Sequence, residues 1–240
     1  MEKKGYSFTG FALTAICAAI VAAWGAYSIS QHNYQSRLAA LSVEADQLQT
    51  QVKSLEQRLE REQVKPSPVA GRELRSVIQA EGDEILTALK SRDAATLARY
   101  VHPQQGLRFT PYSYIDLEKD LVFSVADIPT LFSSDRLYTW GSYDGSGEPI
   151  ALNFDNYYAK FVYDQNFLAA PQTVFNQVIQ RGNTINNFTS AYPRAVSLEY
   201  HFAGFDPQYE GMDWKSLKLA FEPVGDTWYL VGIIHEQWTI

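Results

Sequence analysis

Residues 216–240 read SLKLAFEPVGDTWYLVGIIHEQWTI, and their pattern decides the fold class. Leu217, Leu219 and Phe221 alternate with Ser216, Lys218, Ala220 and Glu222. Successive side chains of a strand point to opposite faces, so this period of two predicts an antiparallel strand buried on one face. Gly225-Asp226, between Phe221 and Trp228, reads as the turn of a hairpin. The run from Thr227 to Ile240 is mixed on both faces, with apolar residues on each, which predicts a strand in the middle of a sheet.

Upstream, Val196, Leu198, Tyr200 and Phe202 alternate with Ser197, Glu199, His201 and Ala203, a second half-buried strand. From 116 to 192 the pattern is weaker. Short strands near 121–126 and 137–141 and helices near 155–163 and 171–180 are the expectations there. Helical spacing starts at Arg72 and runs through Leu74, Val77, Ile78, Ile85, Leu86 and Leu89, with Gly82 as an interruption. Ser91 and Asp93 offer an N-cap for a second helix, AATLARYV, which stops before His102-Pro103. Helices first and strands last make an α+β domain over residues 72–240.

The segment 64–71, VKPSPVAG, carries two prolines and reads as a short semi-rigid linker. Before it, Leu38, Leu41, Ala45, Leu48, Val52, Leu55 and Leu59 alternate steps of three and four, the a/d pattern of a coiled coil. Residues 31–63 are therefore expected to form a short stalk that self-associates through 38–59. The alternative is one amphipathic helix packed on the protein's own domain. Residues 8–30, FTGFALTAICAAIVAAWGAYSIS, contain no charged side chain, and about 20 apolar residues suffice for a helix to span a bilayer. Lys3 and Lys4 precede this stretch, so residues 1–7 are expected in the cytoplasm and the rest outside. A cleaved signal peptide is the rival reading. Its apolar region would be shorter, and it would not continue through Trp24 and Tyr27.

The segments ALKSRDAATLARYVHPQQGLRFTPY, YTWGSYDGSGEPI, GMDWKSLKLAFE and WYLVGIIHEQWTI occur in that order. Together they resemble the nuclear-transport-factor-2-like (cystatin-like) fold, and more narrowly a group of bacterial exported proteins of unknown function. The resemblance covers residues 74–240. It implies a cone-shaped domain, with a long and a short helix packed on a curved antiparallel sheet, and an extracytoplasmic address. It implies no activity, because the wider superfamily includes enzymes, binding modules and assembly domains.

Composition excludes some partners. Residues 72–240 hold 13 Lys and Arg against 21 Asp and Glu, a net charge of −8 with histidines neutral. That balance opposes nucleic-acid binding, which needs clustered cations. The single cysteine, Cys17, lies in the apolar stretch, so the exported part has no disulfide. No GxSxG elbow, HExxH helix, P-loop or dinucleotide fingerprint occurs, and no cofactor is expected.

Four histidines can be weighed singly. His32 reads as interfacial. His102 ends a helix, where an imidazolium would meet the helix dipole favourably. His201 is expected on a solvated strand face. His235, among large apolar residues, is the best candidate for a pocket base, although Glu236 beside it points to the opposite face. Asp144, in DGSGE, reads as part of a glycine-rich turn with some oxygen-ligand character. Aromatic residues with polar tips line ligand pockets as well as cores. Tyr112, Trp140, Asp144, His235 and Trp238 are the candidate ligand-binding set. The leading functional expectation is a membrane-anchored extracytoplasmic module that binds a ligand, an envelope polymer or a partner protein. The alternatives are an acid–base enzyme using His235 and a structural oligomerising subunit.

Overall fold

Pro68 is the first residue of helix α1 (Pro68–Ser91) in the computed structural model, which describes residues 37, 43, 44, 46–53, 68–179 and 185–239. The chain divides into two compact units, Met1–Pro66 and Ser67–Ile240. In the first, residues 46–53 are helical, and Val43, Leu48 and Val52 are exposed. The apolar stretch 8–30 and most of the heptad positions lie outside the described residues. Among the described residues no helix is long and apolar enough to cross a membrane.

In the second unit, α1 begins four residues before the expected Arg72, so the linker read over 64–71 does not extend past Ser67. Proline is well placed at the first helical position, where an N–H would have no intrahelical acceptor. Nor does Gly82 interrupt α1. A Cβ at Gly82 would lie 2.4 Å from Leu198 Cδ2 and 2.7 Å from the Tyr200 hydroxyl. The glycine therefore lets the helix approach the sheet closely. The same hydroxyl donates to Asp83 Oδ1 at 2.8 Å. Helix α2 (Ala94–Tyr100) starts as expected at Asp93, whose carboxylate accepts from Thr96 N at 3.0 Å.

Strands β1 (Leu107–Thr110), β2 (Leu121–Phe123), β5 (Gln172–Phe175), β6 (Val196–Phe202), β7 (Lys215–Val224) and β8 (Thr227–Gln237) form one curved sheet in the order β2-β1-β8-β7-β6-β5. The fold class is α+β, and β8 is central. The hairpin β7–β8 turns at Gly225-Asp226, with Gly225 at φ +61, a conformation that glycine adopts without steric cost. The sheet is mixed, whereas a fully antiparallel one was expected. Strand β1 runs parallel to β8, with Arg108 opposite Gly232 and Thr110 opposite Ile234. These strands are far apart in sequence, so no hairpin turn forces them to be antiparallel. The expected helix over 171–180 is instead strand β5, which pairs with β6 from Gln172↔His201 to Phe175↔Leu198. The β-branched Thr173 and Val174 favour that outcome.

A separate hairpin, β3 (Tyr138–Ser142) and β4 (Pro149–Leu152), leads into α4 (Phe154–Phe161). Short helices α3 (Ile128–Leu131) and α5 (Phe188–Ala191) complete the domain.

One face of the sheet carries Leu198, Tyr200, Leu217, Leu219, Phe221 and Ile233, packed with the helices and an aromatic group around Phe109, Trp140, Phe154, Tyr157 and Phe161. Trp140 and Tyr157 stack with centroids 3.8 Å apart. The opposite face was expected to be solvated, and it is not. Ser197, Glu199, His201, Ser216, Lys218 and Glu236 are all at most 2% exposed. A smaller apolar cluster of Ile115, Phe188, Tyr192, Val231 and Ile234 shares that face. The loop after β1 and the segment around α5 supply this cover, and Asn187 joins them. Its side-chain oxygen accepts from Ile115 N at 2.8 Å, and its amide donates to Ile115 O at 2.9 Å.

Candidate functional site

A cavity with aromatic and charged walls has a volume of about 480 Å³, within the ~300–1,000 Å³ usual for small-molecule sites. It opens where the chain leaves β1 and meets the β3–β4 hairpin. Tyr112 and Tyr114 come from the first segment; Trp140, Tyr143 and Asp144 come from the hairpin. Asp116, Lys119 and Asp120 come from the loop between β1 and β2. Thr239 reaches the cleft from beyond β8.

Local interactions hold these groups in place. The Tyr112 hydroxyl accepts from Asp144 N at 3.3 Å, tying the two candidate residues together. The Tyr112 ring packs edge-on to Phe161, and burial raises its phenol above the usual value. Trp140 is fully buried and donates its indole N–H to Leu152 O at 2.9 Å. Asp120 Oδ2 accepts from the Thr110 hydroxyl at 2.8 Å and from Asp116 N at 3.0 Å. Burial pushes the Asp120 carboxyl up to about 6, against the lowering effect of those donors and of Arg108. For Asp116, burial acts upward, but the backbone N–H groups of Glu118 and Lys119 outweigh it and hold the carboxyl low. Tyr157, fully buried against Trp140, has a hydroxyl with no hydrogen-bond partner. The polar groups acting on that hydroxyl, Asp120 and Tyr112, both line the cleft.

Of the five residues read as a ligand-binding set, Tyr112, Trp140 and Asp144 meet here. The other two do not line the cleft. Trp238 is 39% exposed and outside it. His235 is fully buried on the helix-covered face of the sheet, edge-on to Phe161. Its Nε2 lies 3.3 Å from Asp164 Oδ2. Asp164 also pairs with Lys215; burial acts to raise its carboxyl, but its hydrogen-bonding neighbours His235 and Lys215 outweigh that and hold it low. His235 therefore faces Asp164 inside the domain and does not line the cleft in which it was expected to act as a base.

The other histidine expectations are corrected as well. His102 does not act as a cationic cap. Its Nδ1 accepts from Gln104 N at 3.2 Å and Gln105 N at 3.0 Å, and burial lowers the ring's pKa. His201 is buried rather than solvated, with Nδ1 2.6 Å from the Ser216 hydroxyl. The turn around Asp144 is a hairpin loop closed by Tyr143 N donating to Glu148 O at 2.8 Å. Among the described residues no group of His, Cys, Asp and Glu could hold a metal ion.

Sequence reasoning missed Asp120 and Tyr157. Asp120 looks like any loop acid until the fold sets it against Thr110. Tyr157 shares helical spacing with Phe154 and Phe161, which marks it only as core. No family model, curated protein or solved structure matches this chain.

Proposed function

We propose that the protein is a membrane-anchored binding module, with residues 8–30 as the anchor and the Tyr112–Trp140–Asp144 cleft as its ligand site. One observation carries the binding reading. A cavity of about 480 Å³ is walled by aromatic residues and carboxylates. Walls of this kind give apolar contact area plus a few fixed polar groups, which is how small-molecule sites achieve orientation. The 23-residue uncharged segment supports the anchor, and Lys3 and Lys4 support an extracytoplasmic address. The exposed Leu48 and Val52 support a self-associating stalk. The order of long helix, short helix and curved sheet supports a nuclear-transport-factor-2-like cone.

An acid–base enzyme is the second reading, favoured by Asp120 rather than His235. A carboxyl with a pKa of about 6 inside a cleft is suited to proton transfer near neutral pH. Ligand-observed NMR on the full chain in detergent micelles tests the binding reading against a panel of neutral sugars, amines and carboxylates. At least one class is expected to bind, and Tyr112→Ala is expected to weaken it about 10-fold or more, since truncating an anchor aromatic costs over ~1 kcal/mol. If no class binds, or if Tyr112→Ala changes nothing, the cleft is not the site.

A further inference from the structure

We propose that the cleft selects a ligand bearing a primary ammonium group. This rests on the binding reading and adds the chemical class. The first observation is charge. Three carboxylates, Asp116, Asp120 and Asp144, line the cleft against one cation, Lys119. Lys119 lies 3.4 Å from Asp116 and offsets it. Asp120 and Asp144 form no ion pair among the described residues, so the remaining charge of the walls is negative. Arg108 acts on Asp120 from outside the cleft and offsets it only in part, so an anionic ligand would meet an excess of carboxylates at the walls, where like charge is costly.

The second observation is an acceptor. The Tyr157 hydroxyl is fully buried with no hydrogen-bond partner; it does not itself line the cleft, but the two polar groups that act on it, Asp120 and Tyr112, do. A buried polar group without a partner costs about 1–3 kcal/mol, which a ligand donor would recover. Asp120 Oδ2 is already taken by Thr110 and Asp116 N, which leaves Oδ1 for a ligand. An ammonium has three donors and no acceptor, which matches acceptors that lack donors.

The third observation is the rings. A cation is attracted to the face of an aromatic ring. Tyr143 already shows that preference within the protein, with Lys160 Nζ 4.4 Å from its ring centroid. Tyr112, Tyr114 and Trp140 add further ring surface to the same cleft. A neutral sugar would use the rings but leave the excess of carboxylates unpaired with a ligand charge.

Titration calorimetry on the full chain in detergent micelles decides the matter. Four probes are used: spermidine, glucosamine, glucose and N-acetylglucosamine. At least one amine is expected to bind at least 10-fold more tightly than both neutral sugars. Spermidine as the better amine indicates a linear polyamine, and glucosamine indicates an amino sugar. Asp120→Asn, which keeps the acceptor for Thr110 and Asp116 N, is expected to weaken amine binding at least 10-fold. Tyr157→Phe is expected to weaken it several-fold. Asp135→Asn, an exposed carboxylate outside the cleft, is expected to change it less than 2-fold. Equal effects of Asp120→Asn and Asp135→Asn would reduce the amine signal to general attraction by an acidic protein and overturn the proposal. Neutral sugars that bind as well as glucosamine, and lose binding in Tyr112→Ala, would overturn the ammonium class and leave the binding reading standing. If none of the probes binds, the ammonium class is overturned, and the broader panel decides the binding reading separately.

Discussion

The two faces of the main sheet are made by alternate residues of the same strands, yet they are built by opposite rules. On one face Leu217, Leu219 and Phe221 join a dry aromatic core. On the other, Lys218 bonds Glu236 and lies 3.3 Å from Glu199, with all three at most 2% exposed. Ser113 donates to the other oxygen of Glu236 at 3.0 Å. The aromatic face gains stability from area removed from water. The polar face must first overcome the desolvation of three charged groups, and it does so only while each keeps its partners. Burial raises the Glu199 carboxyl to about 6 even beside Lys218. Glu236 and Glu199 together outweigh burial and raise the Lys218 ammonium. A hydrophobic face tolerates small changes singly, whereas this polar face is a unit.

The sharpest way to break the comparison is to remove one member of that unit. Lys218→Met is expected to destabilise the protein by about 3–5 kcal/mol, because it strands two buried carboxylates. Adding Glu199→Gln and Glu236→Gln to Lys218→Met is expected to recover most of that loss in denaturant unfolding. If the triple variant is no more stable than Lys218→Met alone, lost packing rather than stranded charge explains the effect.

A smaller effect concerns pH. The folded carboxyl of Glu199 titrates near 6 and the unfolded one near 4.5. A raised carboxyl binds its proton more tightly when folded, so its favourable contribution is complete below pH 4.5 and is lost as pH rises through 6. The stability of Glu199→Gln relative to the parent chain is therefore expected to rise between pH 4 and 7, by on the order of 2 kcal/mol. Thermal unfolding of both proteins across that range measures it. A difference that stays flat with pH would mean that Glu199 is not the group responsible.

The smallest effect is expected at the end of β8. Trp238, as large a side chain as any in the final run, is 39% exposed. Trp238→Ala is expected to cost under about 1 kcal/mol, below the ~3–5 typical of a buried tryptophan. A loss near 3 kcal/mol in urea unfolding would place Trp238 in the core after all.

Period-two alternation in 196–203 and 216–222 located β6 and β7 and divided their faces correctly. What alternation does not reveal is the cover. Glu199, His201 and Lys218 look solvated because their sequence neighbours are apolar, and the burial comes from side chains outside these strands: Ile115 and Phe188, and Trp214 against His201. The cleft was half legible for the same reason. Tyr112, Trp140 and Asp144 stand out as aromatic and turn residues, whereas Asp120 gains its character from the burial that the fold imposes on it. His235 was misread because its local apolar setting suggested a pocket, while Asp164, 71 positions earlier, closes on it.

The parallel pairing of β1 with β8 has a consequence for the order of events in folding. Arg108 and Gly232 pair across 124 positions of chain. The helices α1 and α2 are joined by local contacts and form without waiting. The inner edge of β1 has no neighbour until the last strand is made, because β8 alone separates it from β7. Contacts of such long range slow folding, and an unpaired strand edge is a template for the wrong partner. A ribosome paused before Leu230 would hold β1 and β2 as a two-stranded ribbon with an open edge, the form in which this chain is most prone to aggregate.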